Sequence, residues 1–181
     1  SPRYALARGV GLIPEDRKRQ GLVMSLGVKQ NIALPILDRI STWGQFVRRA
    51  EESEYYHKYA KELSIRTSSS SQLVSNLSGG NQQKVVLAKI LARDCDVIIF
   101  DEPTRGIDVG VKHEIYRLMR ELAKNGKAII MISSEMPELI GMSDRIEVMS
   151  AGHLVADLSR AEFDQELILE LASSKLTKKE I

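Results

Sequence analysis

Residues 97–108 read VIIFDEPTRGID. Four consecutive apolar residues predict a strand buried on both faces of a parallel sheet, because a half-solvated strand would alternate. The run leads directly into Asp101 and Glu102, delivering two carboxylates to the carboxyl end of the strand, where open α/β sheets place their ligands. An acid there can hold a magnesium ion that bridges nucleotide phosphates, and a second can position or deprotonate an attacking water. Alone the motif is weak, because two acids after an apolar run also serve as a cap for the next turn.

Downstream, Ile115, Leu118, Met119 and Leu122 recur at helical spacing within Val109–Asn125, and Gly126 stands where a C-terminal cap belongs. AIIMIS (128–133) is a second predicted buried strand, so strand, helix and strand form a βαβ crossover. RIEVMS (145–150) and HLVADL (153–158) predict a hairpin turning at Ala151 and Gly152, and a helix carrying Phe163, Leu167, Ile168 and Leu171 follows.

Upstream, residues 77–84 read LSGGNQQK. Ser78, Gly79 and Gly80 open a helix predicted from Asn81 to Arg93, so backbone N–H groups and the positive helix end can face an anion. SGG by itself reads equally as a serine cap with a glycine turn. On that helix Leu87, Ile90 and Leu91 share a face, with Lys84, Lys89 and Arg93 expected to turn outward. Before it come a short helix (2–8), a strand VGLIP (10–14), a charged turn (15–21), helical texture from Val28 to Leu63 broken at Pro35, and TSSSSQ (67–72), read as an ordinary loop. The class is α/β with a helical insertion between the first and second strands.

Composition narrows the function. A net charge of +2 in 181 residues, with cations and acids interspersed, gives no argument for nucleic acid. The clusters Arg17–Arg19 and KLTKKE (175–180) read as solvated surface. The single cysteine, Cys95, rules out an intrachain disulfide and reads as packing, and no apolar run reaches membrane-spanning length. His57, His113 and His153 are not grouped near the two acids in sequence, which argues against a metal-hydrolase ligand set.

The ordered pair LSGGNQQK, then an apolar strand, then DEPTRGID resembles the nucleotide-binding subunits of ATP-binding cassette (ABC) transporters, with 77–84 as the signature, 97–103 as the Walker B strand and RGID (105–108) as the D-loop. GVGLIPEDRKRQGL, IALPIL and SSEMPELIGMSDRIEVMSAG extend the resemblance to the second of two tandem cassettes in bacterial importers of ribose, galactose and xylose.

That resemblance implies a truncated P-loop NTPase (ABC ATPase) fold with a parallel sheet and a helical subdomain insertion. Its segments are a core strand and Q-loop region (1–20), a helical subdomain with the signature (21–93), a core with Walker B, D-loop and switch (94–160), and a C-terminal helix and tail (161–181). It implies that Ser78, Gly79, Gly80 and Gln82 bind nucleotide, the first three touching the γ-phosphate of an ATP held by the opposite cassette. Asp101 would bind magnesium, Glu102 would be the catalytic base, and Asp108 would communicate across the interface. Glu15 and Ser134 would also face nucleotide. ATP and magnesium are implied cofactors of the parent, not expected to bind tightly to this piece alone.

The implied partners are the first cassette of the same polypeptide, membrane-spanning permease subunits and, indirectly, a periplasmic sugar-binding protein, with no nucleic acid. The implied location is the cytoplasmic face of the bacterial inner membrane. Trp43 and Phe46 read as subdomain core, with contact to the membrane subunit as the alternative. A nucleoside or autoinducer importer, or a non-transport cassette, is the competing identity.

The resemblance fails in three places. No GxxxxGK[ST] occurs in the 181 residues, so the chain is expected to begin downstream of the P-loop and to be inactive alone, although its parent would be an ATPase. Glu15 stands where most cassettes have glutamine, and Ser134 where they have the switch histidine. A serine hydroxyl cannot supply an imidazole donor. The pair of cassettes is therefore expected to be asymmetric, this one lending an intact signature while its own site is impaired. Without a P-loop strand the sheet would be gapped, so either rearranged C-terminal strands or a second copy of the chain is expected to fill it.

Overall fold

The computed structural model describes residues 1–174, which fall into two compact units, Ser1–Ile132 and a second beginning at Ser133. The basic tail at 175–180 lies outside the described residues.

The first unit opens with helix α1 (Pro2–Ala7), whose proline occupies a first-turn position where no N–H is needed. Strand β1 (Val10–Ile13) then pairs in parallel with β4 (Val97–Asp101), Val10 opposite Val97 and Ile13 opposite Phe100. β4 pairs in parallel with β5 (Ala128–Ile132), giving the order β1-β4-β5. Gly11 leaves room for helix α5 (Gly79–Arg93) and the turn after it: a β-carbon there would stand 2.7 Å from Ile90 Cγ2 and 3.0 Å from Cys95 Sγ. Ile13, Ile98 and Phe100 are buried on this same face.

The expectation of burial on both faces is corrected for AIIMIS, whereas VIIF alternates between buried and half-buried with no residue exposed. Leu12, Ile130 and Ile132 are 49–50% exposed on the opposite face, and β5 alternates between exposed and half-buried. An unbroken apolar run marks a strand suited to double burial, but it does not supply the second layer.

Between β1 and β4 lies the insertion: a π-helical turn (Arg17–Gly21), α2 (Val28–Ala33), a 3₁₀ turn containing Pro35, α3 (Leu37–Ile40), a short hairpin β2 (Ser41–Thr42) and β3 (Phe46–Val47), α4 (Arg49–Glu62), and α5 (Gly79–Arg93). Fully buried Asn31 organises its entrance. Its Oδ1 accepts from Val23 N–H at 2.9 Å, and its Nδ2 donates to the carbonyls of Val23, Leu26 and Gly27 at 3.1–3.3 Å. The serine tract is a pinned loop, with Val28 and Lys29 N–H donating at 3.0 Å to the carbonyls of Gln72 and Ser70. Tyr59, buried on α4, donates to the Leu91 carbonyl at 2.8 Å and ties α4 to α5.

Trp43 and Phe46 are 87% and 64% exposed, so their reading as subdomain core is corrected: they sit on a two-stranded hairpin too short to fold back over an apolar layer. Helix α6 (Val109–Lys124) forms the crossover between β4 and β5 and buries Ile115 and Met119.

The second unit holds α7 (Met136–Met142), the antiparallel hairpin β6 (Arg145–Ser150) and β7 (His153–Ser159), and α8 (Gln165–Ser173). Its core is Ile146, Val148, Leu158 and Ile168, with Phe163 and Leu171 packed against it. The hairpin is a sheet of its own. Among the described residues the parallel sheet has three strands, β1-β4-β5, and the expected addition of rearranged C-terminal strands to it is not seen.

Candidate functional site

The signature loop is built by a capped helix. Ser78 Oγ accepts from the Asn81 backbone N–H at 3.4 Å and from Asn81 Nδ2 at 3.0 Å, while Asn81 Oδ1 accepts from Arg66 N–H at 2.7 Å. With its first turn capped from Ser78, α5 starts at Gly79, two residues before the sequence-based boundary. Asp108 does the same for α6, its Oδ1 accepting from Val111 N–H at 3.1 Å. The two helix starts abut so closely that a β-carbon on Gly80 would lie 2.9 Å from Val111 Cγ2. Ser78, Gly80, Asp108 and Gly110 thus line one cleft, with Arg66 and Lys84 in its wall.

Each helix start contributes a partial positive charge worth about 0.3–1 kcal/mol to a nearby anion. The two helix starts and Arg66 suit an anion such as phosphate, whereas Lys84 is paired with Glu114, which lines the same cleft.

Gln82 does not line this cleft. It is 3% exposed, and its Nε2 donates to the carbonyls of Val74 and Leu77 at 3.1 and 3.2 Å, holding the loop from beneath.

The carboxylates lie at the end of β4. Asp101 and Glu102 are both half-buried, and Glu102 N–H donates to the Ile132 carbonyl at 2.9 Å. Glu102 has φ +46°, an uncommon left-handed conformation for a residue with a side chain. Beyond it Thr104 is 1% exposed, and Arg105 forms an ion pair with Glu15, joining the loop after β1 to the loop after β4. Among the described residues no group of three His, Cys, Asp or Glu could cage a metal. Magnesium is held by one or two carboxylates with phosphate and water completing its shell, so Asp101 fits as one such ligand. Ser134 is exposed in the second unit, and its neighbour Ser133 is bonded through its hydroxyl to Glu138.

The profile of the ABC transporter family matches residues 3–105. The chain belongs to the ABC transporter family. Among similar proteins are a ribose import ATP-binding protein of Rubrobacter xylanophilus, 51% identical over 96% of this chain and 33% of that protein, and the ribose import ATP-binding protein RbsA of Clostridium tetani, 47% identical over 95% of this chain and 34% of that protein. This ABC chain therefore spans about a third of the length of those relatives. Among solved structures, a dimeric ATP-binding cassette in a post-hydrolysis state, bound to ADP and Pi, superposes with a TM-score of 0.73 at 20% identity, over 89% of this chain and 66% of that one. That likeness shows the ABC ATPase fold.

Several side chains around the ABC motifs escaped the sequence reading. Arg17, read as solvated, directs its guanidinium at Gly79, with Nη2 2.8 Å from where a β-carbon would sit. Lys84, Lys89 and Arg93, expected to turn outward, are engaged. Lys84 pairs with Glu114. Arg93 donates to Asp38 at 2.8 Å and to the Pro35 carbonyl at 3.2 Å, and holds the Asp38 carboxyl below its usual pKa. Lys89 reaches the Gly21 carbonyl, and burial pushes its ammonium pKa down. A long cationic side chain on an amphipathic helix carries no sequence mark separating solvation from a bond to a distant carbonyl.

Proposed function

We propose that this chain is the signature-bearing part of the ATP-binding, energy-coupling subunit of a bacterial importer for ribose- or galactose-like monosaccharides. The observation that supports the reading most directly is the pairing of two capped helix starts, at Ser78–Gly80 and Asp108, in a chain about half identical to ribose import ATP-binding proteins.

In this reading Ser78, Gly79 and Gly80 present hydroxyl and N–H donors to the γ-phosphate of an ATP bound chiefly by the opposite cassette. The positive helix ends stabilise charge that grows on the transferring phosphoryl group. Gln82 acts through the loop it clamps. Asp108 caps α6, which packs against that loop, and would communicate across the cassette interface. Asp101 would supply a carboxylate to magnesium, which neutralises phosphate charge when bound. Glu102 would orient or deprotonate water in this cassette's own site, with Glu15 facing the same nucleotide. Glu15 is bound to Arg105, which agrees with a weakened site of its own.

The partners in this reading are the first cassette and membrane-spanning permease subunits, with a binding protein acting through them, at the cytoplasmic face of the inner membrane. No helix among the described residues is long and apolar enough to cross a membrane.

The test is steady-state ATPase activity of the parent protein reconstituted with its permease. Ser78→Arg, which fills the cleft, is expected to lower turnover about 100-fold, the scale on which loss of a preorganised oxyanion donor acts. Glu102→Gln is expected to retain measurable turnover. Full activity in Ser78→Arg would defeat the assignment of the signature loop, and complete loss in Glu102→Gln alone would defeat the asymmetry.

A further inference from the structure

The hairpin β2–β3 turns through Trp43 and Gly44, both with positive φ (+53° and +69°), and Gln45 N–H donates to the Thr42 carbonyl at 3.2 Å. Positive φ at both central residues defines a turn that favours asparagine, aspartate or glycine, and a bulky aromatic residue is a poor occupant of it. Trp43 gains nothing from packing in exchange, being 87% exposed, and Phe46 (64%) is a second aromatic residue left open on the hairpin. Local conformation and burial therefore both disfavour tryptophan here, which leaves contact with something outside the chain as its physical rationale.

The base of the hairpin says what that contact is. Arg48 donates to the Arg39 carbonyl across the base and pairs with Glu51 at 2.7 Å, while Asp38 is held by Arg93. Both acids at the base are thus matched, and Arg39 and Arg49 stand exposed with no carboxylate at ion-pair distance among the described residues, Arg39 acting on Asp38 and Asp94 only through its field. The projection carries aromatic rings at its tip and surplus guanidinium groups behind them. An anionic bilayer surface presents its acyl boundary and its phosphates in that same order of depth.

We infer that the Trp43–Phe46 hairpin is an interfacial anchor that docks on an anionic lipid surface, the aromatic tip entering the headgroup region and Arg39 and Arg49 facing lipid phosphates. The inference stands apart from the sugar-import reading, because it rests on the hairpin alone.

Trp43 is the only tryptophan of the chain, so its emission reports on this position. Vesicles of phosphatidylcholine with phosphatidylglycerol are expected to shift its emission to the blue, and brominated acyl chains to quench it. Vesicles of phosphatidylcholine alone are expected to do neither. Trp43→Asn suits the turn, so it is expected to keep or raise the melting temperature while lowering co-sedimentation with anionic vesicles about tenfold. Arg39→Gln with Arg49→Gln is expected to lower it by a similar factor, about tenfold or more. Unchanged Trp43 emission with anionic vesicles overturns the inference, as does undiminished sedimentation of Trp43→Asn, which would place lipid binding on another face. Emission insensitive to vesicles but shielded in the complex with the permease would also overturn it, assigning the tip to a protein contact.

Discussion

Arg17 and Gly79 meet where there is no room for a β-carbon: the guanidinium Nη2 lies 2.8 Å from the position one would occupy. The same measure gives 2.7 Å from Gly11 to Ile90 Cγ2, but the two obstacles differ. Arg17 presents the far end of a flexible side chain, whereas Ile90 is a buried β-branched residue held between helix and sheet. Gly79→Ala is therefore expected to change stability by less than about 1 kcal/mol, and Gly11→Ala to destabilise by about 1–3 kcal/mol through overpacking. Urea unfolding of both variants checks this, and equal losses would contradict it.

The Glu15–Arg105 pair links the loops that follow β1 and β4, yet its side chains are 44% and 67% exposed. Such a pair stabilises by only about 0.2–1 kcal/mol. A double-mutant cycle with Glu15→Gln and Arg105→Gln is expected to give a coupling in that range, weakened by salt. A coupling above about 2 kcal/mol would mean that the pair is effectively desolvated.

Lys89 predicts an alkaline trend. Burial lowers its pKa in the folded chain below the ordinary value of 10.5, so between those two values the unfolded chain binds more protons. Stability attributable to this group should then rise with pH through that window and level off above 10.5. Urea unfolding of the native chain and of Lys89→Met from neutral pH upward would show the native chain gaining on the variant. A difference independent of pH would exclude the effect.

The half-exposed apolar face carrying Leu12, Ile130 and Ile132 is expected to drive self-association of this 181-residue chain. Sedimentation at micromolar concentration should show dimers or larger species, and Ile130→Lys should shift the distribution toward monomer. A monomeric native chain would rule out a second copy as the cover of this face.

The motifs were legible because their chemistry is local. A serine followed by two glycines and a helical run states its own cap, and an apolar strand ending in two acids states which end of the sheet they occupy. The hairpin at 145–159 was legible for the same reason, its turn being marked by Ala151 and Gly152. Arg17 and Lys89 were not legible, since a basic residue beside other basic residues looks solvated until the element it folds against is known. Trp43 and Phe46 misled in the opposite direction: aromatic residues are usually packed, and only their position on a short projecting hairpin removes them from the core.

By itself the sequence determined the α/β class, the helix that opens at Ser78, the acids at the end of β4 and the resemblance to ABC cassettes, because capping and periodicity act over a few residues. Tertiary structure alone decided that the starts of α5 and α6 share one cleft, that Glu15 is bound to Arg105, and that one face of the parallel sheet stays open. Those outcomes depend on which distant segments come to lie against each other, and short-range patterns do not carry that information.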